Sequence, residues 1–358
     1  MPLSAYKGAR VFVTGHTGFK GSWLCEMLLL AGAEVHGYAL RPSTRPSLFS
    51  QLKLARRIST YEIGDVRDLA ALQSAVSRVA PDFVFHLAAQ PLVRESYRTP
   101  VETFATNVMG TVNLLEAVRR SRAACRTPQA PCAVVCVTTD KCYENNDAGR
   151  PFRETDPLGG ADPYSASKGA CEIAIASYRR SFFSGDDTSV RVASARAGNV
   201  IGGGDWAQDR IVPDAMRAFL SGGELVVRNR RSTRPWQHVL EPLSGYLMLG
   251  AALSRDARFA EAFNFGPDRR IVRTVGDLVR ELCKRFPDAH VTDATSAGAL
   301  PEAKSLTLDS GKAARRLGWM PRWGFAKTVR MTADWYGTVA AGGDPRAVTD
   351  RQIMEFLG

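Results

Sequence analysis

The segment VTGHTGFKG, residues 13–21, decides the fold. It overlaps the end of a short apolar strand, residues 9–15, and leads into a run with helical spacing that ends at Gly32. Three glycines, Gly15, Gly18 and Gly21, permit a tight turn, close approach of a ligand to the backbone and close helix packing. A helix that begins in such a loop offers free N–H groups to an anion. The segment therefore predicts the first strand–turn–helix unit of a nucleotide-binding fold.

The remainder of the first 200 residues alternates between apolar strands and helical segments. Further predicted strands occupy residues 33–40, 59–65, 82–89, 133–139 and 189–200. Longer helical segments occupy residues 103–121 and 165–183. Buried strands that alternate with helices are typical of a parallel sheet covered on both faces. We therefore predict an α/β fold, with a Rossmann-type doubly wound parallel sheet and a smaller mixed α/β substrate-binding lobe.

After residue 200 the regular alternation of strands and helices ends, and glycine, proline and mixed helical patterns become frequent. We assign residues 1–198 to the dinucleotide-binding Rossmann domain and expect residues 236–266 to return to it. Residues 199–235 and 267–358 form the predicted substrate-binding lobe.

Composition narrows the classes of function. The chain has 358 residues, 45% of them hydrophobic, and a net charge of +11. Its arginines are scattered, apart from short clusters such as residues 228–234, so we expect no nucleic-acid partner. The seven cysteines form no CxxC pair, which favours free thiols in a reducing compartment and no metal site. No apolar run is long enough to span a membrane, and we expect a cytoplasmic protein with no membrane partner.

In a second segment, AVVCVTTDKCY at residues 133–143, a predicted buried strand is followed by polar and charged residues with no turn residue between them. The carboxyl ends of parallel strands border the ligand crevice of a doubly wound sheet, so Thr139, Asp140 and Lys141 should face a ligand. Downstream, Tyr164 and Lys168 are four residues apart and share one helix face. A cation beside a phenol lowers its pKa, which allows the phenol to take a proton from a hydroxyl group.

Four motifs in this order resemble the short-chain dehydrogenase/reductase superfamily. They are GxxGxxG at residues 15–21, GDVRD at residues 64–68, HLAAQ at residues 86–90 and YSASK at residues 164–168. The resemblance implies that the second motif holds an adenine ring and that the third meets the ribose and pyrophosphate. The cofactor-binding residues that it implies are Gly15, His16, Thr17, Gly18, Phe19, Lys20, Gly21, Arg41, Asp65, Val66, Leu87, Ala88, Ala89, Gln90, Thr106, Tyr164 and Lys168.

The second strand departs from the superfamily pattern at its end. An acidic residue usually holds the ribose hydroxyls there, whereas this chain has Ala39, Leu40 and Arg41. By charge, Arg41 favours the 2′-phosphate of NADP. The closer resemblance described next implies NAD, which is the cofactor we expect.

Longer stretches resemble the sugar-nucleotide 4,6-dehydratases, and among them the CDP-glucose 4,6-dehydratases. They include VTGHTGFKGSWL, AAQPLVRESY, TNVMGTVNLLEAV, TTDKCYEN, DPYSASKG, RAGNVIGGGDW and RPWQHVLEPLSGY, and weaker similarity continues toward the end of the chain. The Asp140–Lys141 pair and His16 separate this group from the dTDP-glucose enzymes. Other sugar-nucleotide dehydratases, a sugar-nucleotide epimerase and a catalytically silent NAD(P)-binding protein are the alternatives.

The resemblance implies an internally redox-neutral reaction on CDP-glucose. Tyr164, assisted by Thr139 and Lys168, takes the proton of the C4 hydroxyl while hydride passes to NAD. By position, Asp140 is the acid that protonates the departing C6 hydroxyl, and Lys141 is the base that removes the C5 proton. Hydride then returns to C6, and a CDP-4-keto-6-deoxy sugar results. Such sugars usually enter deoxysugar and surface polysaccharide synthesis, including lipopolysaccharide.

The resemblance also extends to the nucleotide end of the substrate and to assembly. Trp206 and His238 either contact the cytosine or belong to the core, and the arginines either bind phosphate or lie on the surface. The two long helical segments match the pair that forms dimers in the superfamily, which implies a homodimer. The substrate-binding residues that we predict are Arg94, Asn199, Trp206, Arg228, Arg234 and His238.

Overall fold

The computed structural model describes residues 3–124, 130–145, 149–184, 189–268, 273–294 and 306–358. Its strands, in chain order, are β1 Arg10–Thr14, β2 Glu34–Ala39, β3 Thr60–Ile63, β4 Phe83–His86, β5 Cys132–Val137, β6 Val190–Ala197, β7 Val200–Ile201, β8 Glu224–Val227, β9 Thr233–Arg234, β10 Gln237–His238, β11 Ala262–Phe265, β12 Arg273–Thr274 and β13 His290–Asp293.

Helices surround these strands. In chain order they are α1 Phe19–Leu30, α2 Leu48–Gln51, α3 Leu69–Val79, α4 Val93–Arg98, α5 Pro100–Phe104, α6 Gly110–Ala123, α7 Pro163–Phe182, α8 Ile211–Leu220, α9 Leu240–Arg255, α10 Val275–Cys283, α11 Gly311–Leu317, α12 Phe325–Ala340 and α13 Pro345–Leu357. Short 3-10 turns occur at Leu3–Tyr6, Leu54–Arg56, Asp140–Cys142 and Ala257–Phe259. No helix in these described ranges combines the length and apolar character needed to cross a membrane.

Seven strands form one parallel sheet in the order β11-β6-β5-β4-β1-β2-β3. The order reverses direction between β1 and β4. The loops that follow these two strands therefore border the crevice in which doubly wound sheets bind ligands. This topology confirms the predicted Rossmann-type fold.

Alternating side chains of the sheet pack into two apolar layers. In β1, Val11 and Val13 belong to one buried cluster, and Phe12 belongs to the other. Helices α1 and α9 cover the first face, whereas α3, α6 and α7 cover the second. The hydroxyl of Tyr6 donates to the carbonyl of Leu247 at 2.6 Å, which ties the N-terminal turn to α9.

The later part of the chain both returns to the sheet and builds a second region. Strand β11 pairs with β6 at the edge of the sheet, and α9 packs on the first face. The second region contains the pairs β7–β10, β8–β13 and β9–β12 with α8, α10, α12 and α13. One buried cluster includes both Val13 of the sheet and Trp335 of α12. The domain boundaries stay a prediction, because the two regions share this core.

Two elements differ locally from the sequence prediction. A π-helical turn, Ala105–Met109, separates α5 from α6 where one continuous helix was expected. The strand expected to end near Val200 stops at Ala197, and β7 pairs with β10 instead of continuing in the sheet. Both interruptions lie beside the crevice, where irregular backbone directs side chains toward a site.

Candidate active site

The glycine loop fits a dinucleotide by its backbone geometry. Gly15 has a φ of +76°, and a Cβ atom there would lie 2.7 Å from the amide nitrogen of Ala88. A Cβ at Gly21 would overlap the carbonyl oxygen of Gly15. Helix α1 begins after Gly18, which has no side chain to accept bonds from the first-turn N–H groups. These groups and the bare backbone form a cradle suited to a diphosphate.

The His16 side chain points into the protein core and not toward the crevice that the glycine loop borders. The His16 side chain is fully buried, its ring contacts Phe49 and Tyr61, and a Cβ at Gly37 would lie 2.6 Å from the ring. Burial lowers the pKa of His16 to about 4, so the ring is neutral. The His16 side chain therefore packs in the core, only the backbone of residue 16 borders the loop, and cofactor contact by residue 16 stays a prediction.

The ends of β2 and β3 lie beside the glycine loop. Thr17 donates from Oγ1 to the carbonyl of Leu40 at 2.8 Å, which ties the glycine loop to the end of β2. Val66 is buried, and the carboxylate of Asp65 accepts bonds from the guanidinium of Arg67. Arg41 is exposed at the mouth of this region. The carboxylate of Asp65 is therefore already engaged by Arg67 before any ligand binds.

The loop after β4 is held by Asn107 of the π-helical turn. Asn107 accepts the N–H of Gln90 at 2.8 Å and donates to Ser167 Oγ at 2.9 Å. Ser167 in turn donates to the carbonyl of Tyr164 at 2.7 Å. Leu87, Ala88 and Ala89 lie in the same half-buried loop, and Thr106 precedes Asn107. Sequence analysis did not single out Asn107, although its place in TNVMGTVNLLEAV offered a signal.

Thr139, Asp140 and Lys141 follow the end of β5 and contact one another. Thr139 donates to Asp140 Oδ1 at 3.0 Å, and the same oxygen accepts from Lys141 Nζ at 3.4 Å. Lys141 also donates to Asn199 Oδ1 at 3.3 Å. A Cβ atom at Gly198 would lie 2.7 Å from Asp140 Oδ2. An acid, a base and an amide therefore meet at one point of the crevice.

Helix α7 brings Tyr164 and Lys168 to the same place. The helix starts at Pro163 with Asp162 as its cap, and Ser96 Oγ accepts the Tyr164 N–H at 3.1 Å. Burial raises the pKa of Tyr164 above its ordinary value, whereas a bond with Thr139 and the charge of Arg210 lower it.

Arg210 is a further cation whose charge lowers the Tyr164 pKa. Lys168 donates to the carbonyl of Val137 at 3.5 Å, and its role beside Tyr164 stays a prediction. Sequence analysis missed Arg210, which forms an ion pair with Asp205 at 2.9 Å. Lys20 lies in the same electrostatic environment, because burial, Arg210 and the nearby lysines lower its pKa to about 8 while Asp140 opposes them.

The predicted substrate-binding residues fall into two groups. Arg94 and Arg228 both donate to Oδ1 of Asp209, at 3.2 and 3.3 Å, so the structure brings them together across the mouth of the crevice. Asn199 lies beside Lys141, and Arg234 is partly buried in β9 with its guanidinium on the Thr233 carbonyl.

The two predicted aromatic contacts lie deeper. Trp206 is partly exposed, donates to Gln51 Oε1 at 3.0 Å and packs on Tyr336. His238 is fully buried between Trp23 and Trp323, and burial lowers its pKa to about 3. Of the two alternatives for His238, its burial favours the core role, and a substrate contact stays a prediction.

Comparison with known proteins identifies the relatives of this chain. A family model described as GDP-mannose 4,6 dehydratase matches residues 12–332. The CDP-glucose 4,6-dehydratase of Salmonella typhimurium is 44% identical over 356 residues, which cover 98% of this chain and 97% of that enzyme.

Solved structures show the same fold at lower identity. The dTDP-glucose 4,6-dehydratase of Streptomyces venezuelae, solved with NAD bound, has a TM-score of 0.76 at 24% identity and covers 94% of this chain and 99% of that one. The UDP-glucose 4-epimerase of Thermotoga maritima has a TM-score of 0.76 at 22% identity and covers 92% and 99%. The family match and the nearly full-length identity to a curated relative show that the chain belongs to the nucleotide-sugar 4,6-dehydratase family.

Proposed function

We propose that the enzyme converts CDP-glucose to CDP-4-keto-6-deoxyglucose by C4 oxidation, loss of water across C5 and C6, and reduction at C6. The observation that carries the choice of substrate is the 44% identity to the Salmonella CDP-glucose enzyme along nearly the whole chain. The grouping of Thr139, Asp140, Lys141 and Tyr164 at one point of the crevice supports the chemistry.

NAD is the cofactor in this proposal. The positive φ of Gly15, the close approach of Ala88 and the uncapped start of α1 fit its diphosphate. When bound, NAD accepts hydride from C4 of the sugar and returns it to C6. Arg41, an exposed residue two positions after the buried end of β2, can lie beside the adenosine ribose.

The oxidation step depends on Tyr164 as the base for the C4 hydroxyl proton. Burial disfavours the phenolate, so the step needs groups that stabilise negative charge on the phenol oxygen. Thr139 donates a hydrogen bond to this oxygen in the proposed active state, and Arg210 and Lys168 supply positive charge. The preorganised donors act in a buried site, where electrostatic stabilisation is strongest.

The elimination step uses the Asp140–Lys141 pair. Asp140 gives its proton to the departing C6 hydroxyl, which leaves as water, and Lys141 removes the C5 proton that the C4 ketone has acidified. When hydride adds to C6, Lys141 returns a proton to C5. The working state, with Asp140 protonated and Lys141 neutral, contains the same number of protons as the ion pair. A proton moved along the 3.4 Å contact between them interconverts the two states without exchange with solvent.

The diphosphate of the substrate lies between the two regions of the chain in this proposal. Arg234 supplies the main positive charge, and Arg94 and Arg228 exchange their shared partner Asp209 for phosphate oxygens. Asn199 contributes a polar group between the diphosphate and Lys141. Trp206 borders the cytosine.

We further propose that the enzyme is a homodimer in the cytoplasm and that its product serves surface polysaccharide synthesis. Large apolar side chains are exposed on the outer faces of α5, the π-helical turn and α7. Pairing of these faces between two copies removes them from water. The described cysteines are free thiols, which agrees with a reducing compartment. The exposed apolar residues are Val101, Phe104, Met109, Ile173 and Phe182.

Incubation of the purified protein with CDP-glucose, GDP-mannose and dTDP-glucose tests the proposed function. We expect a 4-keto-6-deoxy product from CDP-glucose, detected by NMR, without net accumulation of reduced cofactor. A product formed faster from another sugar nucleotide would overturn the substrate assignment. A C4-epimerised product would indicate an epimerase, and binding of NAD without turnover of any sugar would indicate a silent binding protein.

A further inference from the structure

A buried polar network lies directly behind the turn that carries Asp140 and Lys141. Its centre is an ion pair between Glu172 of α7 and Arg196 of β6, with 2.8 Å between the Oε2 and Nη2 atoms. The two side chains are only 3% and 4% exposed. A buried ion pair is a poor source of net stability, so its contacts point to a role in geometry.

The carboxylate end of the network holds the residue before the catalytic turn. Glu172 accepts a bond from Thr138 Oγ1 at 2.5 Å and one from Ser194 Oγ at 2.7 Å. Thr138 directly precedes Thr139. Burial alone raises the pKa of Glu172, but the charge of Arg196 and these bonds hold the pKa below its ordinary value, so the group is a carboxylate.

The guanidinium end holds the residue after the turn. Arg196 donates to the hydroxyl of Tyr143 at 2.8 Å and to the carbonyl of Glu154 at 3.2 Å. The Tyr143 hydroxyl donates to Asn264 Oδ1 at 2.7 Å, and its ring stacks on Phe152. Asp140, Lys141 and Cys142 therefore lie between two anchors that belong to one ion pair.

The same network belongs to the helix of the oxidation residues. Glu172 lies one helical turn after Lys168 and two turns after Tyr164 on α7. The turn also packs closely on this helix, because a Cβ at Gly169 would lie 3.3 Å from the carbonyl oxygen of Cys142. One rigid unit thus contains the groups for C4 oxidation and the groups for elimination.

We propose that Glu172 and Arg196 are positioning residues that keep the Asp140–Lys141 turn in register with Tyr164 and Lys168 on α7. The oxidised sugar then meets its acid and base without moving. This inference rests on the proposed function, since it separates two steps of that reaction. It predicts that damage to the network slows elimination more than oxidation, because both Asp140 and Lys141 lie on the turn, whereas Tyr164 and Lys168 are fixed by α7 itself and only the assisting Thr139 lies on the turn.

The test compares single turnovers of wild-type enzyme and Glu172→Gln with CDP-glucose and bound NAD. Oxidation is read from the near-ultraviolet absorbance of reduced nicotinamide, and elimination from product and from solvent deuterium at C5. We expect the oxidation rate to stay within about threefold of wild type and KM to change little. Elimination should fall about 10²-fold, the effect of misplacing a reacting group by about 1 Å. Reduced cofactor should accumulate.

Tyr143→Phe is the second variant, because it removes one hydroxyl and keeps the ring on Phe152. It should show the same separation of the two rates in smaller degree. Glu26→Gln is the matched control, since Glu26 is also fully buried and paired with an arginine, Arg57, but away from the turn. Its two rates should fall together or not at all.

Each outcome has one meaning. Equal slowing of both steps in Glu172→Gln and Tyr143→Phe, or no slowing in either variant, would overturn the positioning role. Failure of the wild-type enzyme to reduce bound NAD with CDP-glucose would instead reject the proposed function. The positioning role would then fall with it, because it concerns two steps of that reaction.

Discussion

Lys141 Nζ lies 3.4 Å from Oδ1 of Asp140, whose side chain is only 2% exposed. Thr139 donates to the same oxygen, while the Lys141 side chain retains 26% exposure. The proposed acid is therefore buried and hydrogen-bonded, and the proposed base reaches toward the open crevice. Because the two groups differ in this way, we expect that replacing Asp140 and replacing Lys141 will stop the reaction at different steps.

Asp140→Asn should separate oxidation from elimination. The amide keeps the size of the side chain but cannot protonate the departing hydroxyl. Bound NAD should be reduced in a single turnover with CDP-glucose, and the reaction should stop there, with product formation lowered by about 10²-fold or more. Stopped-flow absorbance and product NMR measure the two steps. Full turnover by this variant would remove Asp140 as the essential acid.

Lys141→Met should abolish exchange at C5. Methionine fills a similar volume and has no basic nitrogen, so the C5 proton should stay in place after C4 oxidation. The measurement is incorporation of solvent deuterium at C5, read by mass spectrometry of the recovered sugar nucleotide. Undiminished incorporation would show that another base, for example Lys20, removes this proton.

Gly198→Ala should displace the acid without altering it. The added methyl group would lie 2.7 Å from Asp140 Oδ2, so the carboxylate must shift. We expect a loss in kcat of at least about tenfold with a smaller change in KM, measured in steady state. Gly337→Ala is the control, because a Cβ there meets nothing within 4 Å and a helical alanine stabilises by about 1 kcal/mol. Equal kcat values for the two variants would contradict the steric argument.

Arg234→Ala should weaken CDP-glucose binding and leave the cofactor bound. Loss of a charge-assisted contact to phosphate costs about 1.5–3 kcal/mol, which is roughly a 10- to 150-fold rise in Kd. Isothermal titration with CDP-glucose measures this change, and cofactor content is determined separately. Arg280→Ala, at an exposed position of α10, is the control. Unchanged affinity in Arg234→Ala would exclude Arg234 from the diphosphate site.

Asp350→Asn should raise thermal stability at neutral pH. Burial, together with a hydrogen bond to Glu26, raises the pKa of Asp350 to about 6. An acid whose pKa rises on folding destabilises the native state above that pKa, and the penalty disappears as pH falls toward its unfolded value. The increase in Tm should therefore appear above about pH 6 and vanish near pH 4. An increase that is independent of pH would indicate another cause.

The sequence predicted the parallel-sheet fold, together with the strand end and the helix that carry the candidate reacting groups. At Gly15 and Gly21 the backbone passes so close to its neighbours that only glycine fits, and the glycine spacing of the sequence indicates this turn. Tyr164 and Lys168 share a helix face because they are four residues apart. By contrast, Arg210 and Glu172 act through neighbours distant in the chain, which spacing does not encode. The burial of His16 and His238 depends on packing against Phe49 and Trp323 from other elements. A motif indicates where a residue lies in the chain but not on which side of the backbone its ring packs.

The bond between Tyr6 and the carbonyl of Leu247 joins residues 241 positions apart. During synthesis, β1 to β6 leave the ribosome before α9, which covers one face of the sheet. The nascent chain therefore carries an apolar face that only α1 partly covers until residue 255 has emerged. This interval is when the protein is most prone to aggregate and when a chaperone would bind it. A chain truncated before Leu240 should remain in that state permanently.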